Sequence, residues 1–198
     1  SGKPELKLSQ EIAIFSGIFG RRGDEQMGFD FASQPINMIG WNENHDKPCS
    51  VGVITRVDGN PERGRIISRC GDDAPFLCEQ SICTGSPTLG VGFQRSVQIA
   101  GLRAGITSLE VCTNNRRNGR VKGLRITGGE IGAAGVGSLR SIDSDEMAHC
   151  RDWKEKVSCG DGSVATGIRA HFDNGGGTSP NTDQLVGLEL ICRAVIAD

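Results

Sequence analysis

Apolar and polar positions alternate along short runs broken by turns, and this pattern predicts strands. Residues 11–15 and 51–57 alternate, and 66–69, 92–97 and 188–191 are short runs of β-forming residues. Between such runs stand Asp58-Gly59-Asn60-Pro61, Asn118-Gly119, Gly128-Gly129, Asp161-Gly162 and Asn174-Gly175-Gly176-Gly177. Gly and Asn accept positive φ, so these stretches predict tight turns. No window of a dozen residues keeps a 3.6-residue period free of interior Gly or Pro. The best helical candidate, 144–156 behind Asp143 or Ser144 as N-cap, predicts at most a short helical turn. The pattern predicts an all-β chain.

A second pattern lies over the first. A small residue, an aliphatic, a charge and a further strand residue recur as Gly101-Leu102-Arg103-Ala104, Ser108-Leu109-Glu110-Val111 and Gly123-Leu124-Arg125-Ile126. They recur again as Ser138-Leu139-Arg140-Ser141, Gly167-Ile168-Arg169-Ala170 and Gly187-Leu188-Glu189-Leu190. In a half-buried strand the aliphatic faces the core and the charge faces water. Larger units enclose these, from Cys49 to Cys70, Cys83 to Cys112 and Cys159 to Cys192. Each reads Cys, turn, strand, turn-rich loop, strand, Cys. The expected organisation is one β domain over 1–198, with N-terminal strands in 1–48 outside any repeat. Three Cys-bounded units in 49–198 predict three antiparallel sheets in pseudo-threefold arrangement.

Composition narrows the class. The 198 residues carry a net charge of −2 and 29 glycines, with no tyrosine. Near-neutral charge argues against nucleic acid, which demands a concentrated basic face. No run approaches the roughly 18 apolar residues of a membrane span. The eight cysteines, Cys49, Cys70, Cys78, Cys83, Cys112, Cys150, Cys159 and Cys192, predict a disulfide framework and a secreted, extracellular protein. Cys78–Cys83 and Cys150–Cys159 are plausible short-loop pairs, although sequence does not fix connectivity.

The stretch Cys159-Gly160-Asp161-Gly162-Ser163-Val164-Ala165-Thr166-Gly167-Ile168-Arg169-Ala170-His171-Phe172, followed by Asp183-Gln184-Leu185-Val186-Gly187-Leu188-Glu189-Leu190-Ile191-Cys192, resembles the repeat of vitelline membrane outer layer proteins. That resemblance implies a β-prism of three sheets, similar in shape to jacalin-type lectins.

Candidate chemistry points to binding. No Gly-x-Ser-x-Gly or His-Glu-x-x-His motif supports an enzyme. His171 sits in an alternating run, as a satisfied strand residue does. Gly128–Gly135 lacks the Lys-Ser/Thr of a phosphate loop, so a hairpin is expected there. Asp173, Asn174, Asn181 and Asp183 crowd one Gly-rich loop, where planar acceptors and donors suit sugar hydroxyls. The same composition suits a plain hairpin tip. Asp161, Asp173 and Asp183 offer hard oxygen ligands, making calcium the one candidate cofactor. Trp41 beside Asn42 and Asn44 is a candidate stacking face, and equally a buried indole; Trp153 is second. Arg22-Gly23-Asp24 spells a cell-attachment triplet, which matters only at an exposed loop tip. The function expected is a secreted, non-enzymatic, lectin-like carbohydrate-binding module. The alternative is a structural component of an extracellular coat or matrix assembling through its β surfaces. Extracellular glycans or matrix proteins are the expected partners, with self-assembly as a further mode.

Overall fold

A computed structural model describes residues 6–11, 14–20, 22–44, 47–55, 63–70, 82–85, 93–101, 103–114, 121–133, 135–144, 149–173 and 184–196. Among them every regular element is a strand, and the strands form three antiparallel sheets. The first sheet holds β4 (Ile36–Asn44), β5 (Lys47–Thr55), β6 (Arg63–Ser68), β7 (Ile82–Gly85) and β8 (Arg95–Gln98), in the order β7-β6-β5-β4-β8. The second holds β9 (Ala104–Thr113), β10 (Val121–Gly132), β11 (Gly135–Asp143), β12 (Asp152–Trp153) and β13 (Val157–Ser158), in the order β11-β10-β9, with β12 and β13 both on β9. The third is built on β14 (Ser163–Asp173) and β15 (Gln184–Ala194). β3 (Glu25–Asp30) flanks β14, while β1 (Ile14–Phe15) and β2 (Phe19–Gly20) pair with β15.

Each sheet turns one face inward onto a shared core. Trp41, Val51 and Val53 come from the first sheet, Leu109, Leu124 and Ile126 from the second, and Ile168, Phe172 and Leu188 from the third. All are essentially inaccessible. Each buried aliphatic or aromatic side chain of this kind contributes about 1.5–3 kcal/mol of transfer free energy. Four of the six recurring quartets place their aliphatic as expected, at Leu109, Leu124, Ile168 and Leu188. Leu102 lies outside the described residues. Leu139 departs: it is 57% exposed on β11. β11 is an edge strand whose residues 137–141 are exposed on both faces, beside a register shift against β10, so neither set of its side chains there meets the core.

The stretch 144–156 forms no helix where it is described. Its Asp152 and Trp153 pair with Thr113 and Cys112 of β9. Gly128–Gly132 continues β10, which turns tightly into β11 at Gly135 as a hairpin.

Disulfides staple the sheets at Cys49–Cys70, Cys112–Cys150 and Cys159–Cys192. The expected Cys150–Cys159 pair is therefore incorrect. Cys112 and Cys192, central-strand residues far away in sequence, stand closer in space than the sequence neighbour does. Cys78 and the side chain of Cys83 lie outside the described residues. Among the described residues no cysteine is free, and no helix is long and apolar enough to cross a membrane.

Candidate functional site

β14 delivers two of the predicted site residues to opposite ends of the third sheet. Asp173 closes the strand at the hairpin end. Its Oδ1 accepts the Asp24 N–H at 3.3 Å, so the carboxylate is held at the base of the 174–183 segment. Asn174, Asn181 and Asp183 lie outside the described residues. Asp161 stands just before the other end of the strand, exposed on the turn into Ser163. The eleven residues of β14 rise about 3.3 Å each, so Asp161 and Asp173 cannot share one ion. The predicted calcium set of Asp161, Asp173 and Asp183 is corrected on that ground. Among the described residues no cluster of three His, Cys, Asp or Glu is placed to hold a metal.

Beside Asp173 the outer face of β14 carries a satisfied polar chain. His171 is fully buried. Its Nδ1 accepts the Gly23 N–H at 3.3 Å, and its Nε2 lies 2.7 Å from Glu189 Oε2. Because Nδ1 accepts, Nε2 carries the proton and donates it to the carboxylate. Arg169 reaches the same Glu189 oxygen at 4.0 Å and lays its guanidinium 4.1 Å over the Phe15 ring. Both ring nitrogens of His171 are engaged inside the protein, as in a satisfied strand residue. The Arg22-Gly23-Asp24 triplet is pinned here as well. A Cβ at Gly23 would run into the Phe172 carbonyl, so glycine is required for the approach. The triplet is backbone packed on β14, although the Arg22 and Asp24 side chains are exposed.

The second predicted platform does not face solvent. Trp41 is 1% exposed inside the core, so its ring cannot stack on a ligand. Asn42 is buried too, and its Oδ1 accepts the Gln94 N–H at 2.7 Å. Asn44 ends β4, and its side chain lies outside the described residues. Trp153 is half-buried with one face covered by the Arg125 guanidinium at 4.2 Å.

Near the Asp161 end, Arg193 grips Asp30 through Nη2 at 2.6 Å and Nε at 3.2 Å. Thr166 and the Ala32 N–H donate to the same carboxylate. Burial alone raises the Asp30 pKa. The hydrogen bonds from Arg193, Thr166 and Ala32 outweigh it and hold the group below its ordinary value.

Sequence reasoning missed one feature of this end. Asp161 lines a groove of about 260 Å³ on the outer face of the second sheet, together with Lys156, Thr107, Ser108, Ser158 and Leu139. Its only sequence signal is the Asp161-Gly162 turn.

No family model matches the sequence, and no curated protein matches it. Solved structures do. The Calystegia sepium agglutinin aligns with a TM-score of 0.52 at 12% identity, covering 92% of this chain and 97% of that one. The Calsepa lectin in complex with a biantennary N-glycan aligns with a TM-score of 0.53 at 10% identity, covering 94% and 99%. The same lectin with a bisected glycan gives 0.50 at 12% identity. At such identities the likeness is one of fold: the chain has a three-sheet β-prism fold like that of these lectins, and its sheets carry the disulfides described above.

Proposed function

We propose that this protein is a secreted, non-catalytic carbohydrate-binding module related to the vitelline membrane outer layer proteins. Extracellular glycans are its ligands, bound without calcium. The observation that carries the reading is the scaffold. A β-prism matched along 97–99% of an agglutinin's length is the support on which that lectin holds a bisected glycan and a biantennary N-glycan. The sugar is assigned to the β14–β15 hairpin, where Asp173 is positioned by the Asp24 N–H and Asn174, Asn181 and Asp183 follow in sequence. Carboxylates and amides together supply the planar acceptors and donors that sugar hydroxyls require.

A glycan-array screen of the whole chain, run in calcium and in chelator, tests this. Glycan binding is expected in both buffers, and the Asp173→Ala/Asp183→Ala double variant is expected to lose it at an unchanged melting temperature. Silence across the array overturns the function. Binding unaffected by the double variant overturns the hairpin assignment. A second reading, assembly into an extracellular coat, is favoured by β11, whose outer edge pairs with no strand among the described residues. Concentration-dependent oligomers in sedimentation, abolished by a charge or proline on β11, are its signature.

A further inference from the structure

We propose that the groove on the outer face of the second sheet is a second ligand site, shaped for one neutral sugar ring and separate from the β14–β15 hairpin. Two irregular pairings build it. On β9, Ile106 and Leu109 both enter the core, and the register against β10 shifts between Thr127 and Gly128. The extra residue places Thr107 and Ser108 side by side on the outer side, where both line the groove. On the opposite wall the β10–β11 register shifts between Gly128 and Glu130. Ser138 there holds φ +52°, and the next residue, Leu139, stands 57% exposed at the groove's rim. A non-glycine residue in that conformation persists only where its surroundings impose it, and such positions concentrate at binding sites.

The third wall is the segment 156–163. The Cys159 N–H donates to the Thr107 carbonyl at 2.8 Å, and the Cys159–Cys192 bridge ties the segment to β15. The wall brings in Lys156 and Asp161, both exposed, whose side chains make no hydrogen bond or ion pair among the described residues. Lys156 only donates and Asp161 only accepts. With the exposed Ser158 hydroxyl and the acceptor side of Thr107 Oγ1, which itself donates to the Thr127 carbonyl at 3.3 Å, they offer both polarities and no net charge. Leu139 adds an apolar surface for the C–H face of a pyranose. Phosphate or a sugar acid meets one cation cancelled by one anion, and so fits poorly. The volume of about 260 Å³ falls below the roughly 300–1,000 Å³ of drug-sized sites, which limits the ligand to about one ring.

Chemical-shift mapping on the ¹⁵N-labelled full chain tests the proposal, with the methyl pyranosides of mannose, galactose and N-acetylglucosamine as probes and methyl glucuronide as the acidic comparison. At least one neutral probe is expected to shift the amides of Ser158, Gly160, Asp161 and Ser163. Leu139→Ser and Asp161→Ala, both solvent-facing changes, are each expected to weaken that binding about tenfold with the melting temperature kept. The Asp173→Ala/Asp183→Ala variant is expected to leave it intact, so the groove stands or falls apart from the hairpin. No shifts at these amides with any neutral probe, or equal affinity in both groove variants, overturns the site. Preference for the glucuronide overturns the ligand class.

Discussion

The outer faces of the second and third sheets begin from one device and end differently. On the second, Glu110 lies opposite Arg125, whose guanidinium covers Trp153 at 4.2 Å. On the third, Arg169 lies opposite Glu189 and covers Phe15 at 4.1 Å. In each pair the ion contact is long, 3.9 Å and 4.0 Å, so other partners hold the arginine. Arg125 grips Asp143 through Nε at 2.6 Å and Nη2 at 3.2 Å as well as covering Trp153, whereas Arg169 has the Phe15 ring. The rest of the two faces diverges. On the third, His171 and Glu189 are capped by residues 22–24, while β1 and β2 take the edge of β15, and the polar groups become interior. On the second, the 156–163 segment pairs beside Thr107 and Ser108 and buries Ser108, but it leaves Thr107 partly exposed and a groove remains. The hairpin pattern sets the paired charges. What lies across them decides whether a polar face becomes structure or a surface for ligands.

Cutting Cys159–Cys192 is expected to have the largest effect, because this bridge joins the groove's third wall to the third sheet. A sequence separation of 33 corresponds to about 3–4 kcal/mol in the loop-entropy account. The Cys159→Ser/Cys192→Ser variant is expected to lose that much in denaturant unfolding, and an unchanged midpoint would show that the bridge merely decorates a wall held by β13. Next comes the contrast between the two devices themselves. Glu189→Ala leaves a fully buried His171 N–H without its acceptor and is expected to cost about 1–3 kcal/mol. Glu110→Ala removes a half-exposed partner and is expected to cost under about 1 kcal/mol. Equal costs would erase the distinction between a capped and an open face.

Much of this was legible in the sequence, and the failures have physical causes. Period-2 runs and Gly-rich turns predicted strands because a half-buried strand must alternate. The quartets located Leu124, Ile168 and Leu188 in the core and turned their charges to the outer face; that Arg125 stands opposite Glu110 and Arg169 opposite Glu189 emerged only from the strand register. Leu139 carries the same quartet, but it sits on an edge strand beside a bulge, where residues 137–141 are exposed on both faces, and composition does not tell an edge strand from a central one. Trp41 was ambiguous because an indole beside two asparagines describes a binding platform and a core residue equally well; its burial is decided by strands far away in sequence. The Cys150–Cys159 expectation followed loop length, whereas pairing followed which strands became neighbours. The groove was invisible because its walls, at Thr107, Leu139 and Asp161, meet only through tertiary pairing.

Acid is expected to separate the sheets by a smaller margin. Asp30 is held below its ordinary pKa of 3.8 in the folded chain, so the unfolded chain takes up its proton first as pH falls. The stability from the Asp30–Arg193 pair is therefore fully present above about pH 4 and is lost as pH drops through the folded value. Asp30→Asn is expected to cost about 1–2 kcal/mol at neutral pH, partial exposure discounting the charged hydrogen bonds. It is also expected to flatten the stability profile below pH 4. A profile as steep in the variant as in the parent would assign the acid sensitivity to other carboxylates.

The smallest effect sharpens the comparison most, because it separates strain kept for a ligand from strain that is incidental. Among the described residues two non-glycine residues hold positive φ, Ser138 at +52° beside the groove and Ala32 at +60° after β3. Left-handed backbone costs an L-residue about 1–2 kcal/mol, while glycine gives back roughly 0.5–1 kcal/mol in unfolded-chain entropy. Ser138→Gly and Ala32→Gly are each expected to raise stability by up to about 1 kcal/mol. Their effects on the groove should differ. Glycine at 138 relaxes the bulge that sets Leu139 at the rim, so the neutral-sugar shifts at Ser158 and Asp161 are expected to weaken in Ser138→Gly and to persist in Ala32→Gly. Stabilisation by both with sugar binding unchanged in both would show that the Ser138 strain serves the hairpin alone, and that Leu139 reaches the groove without it.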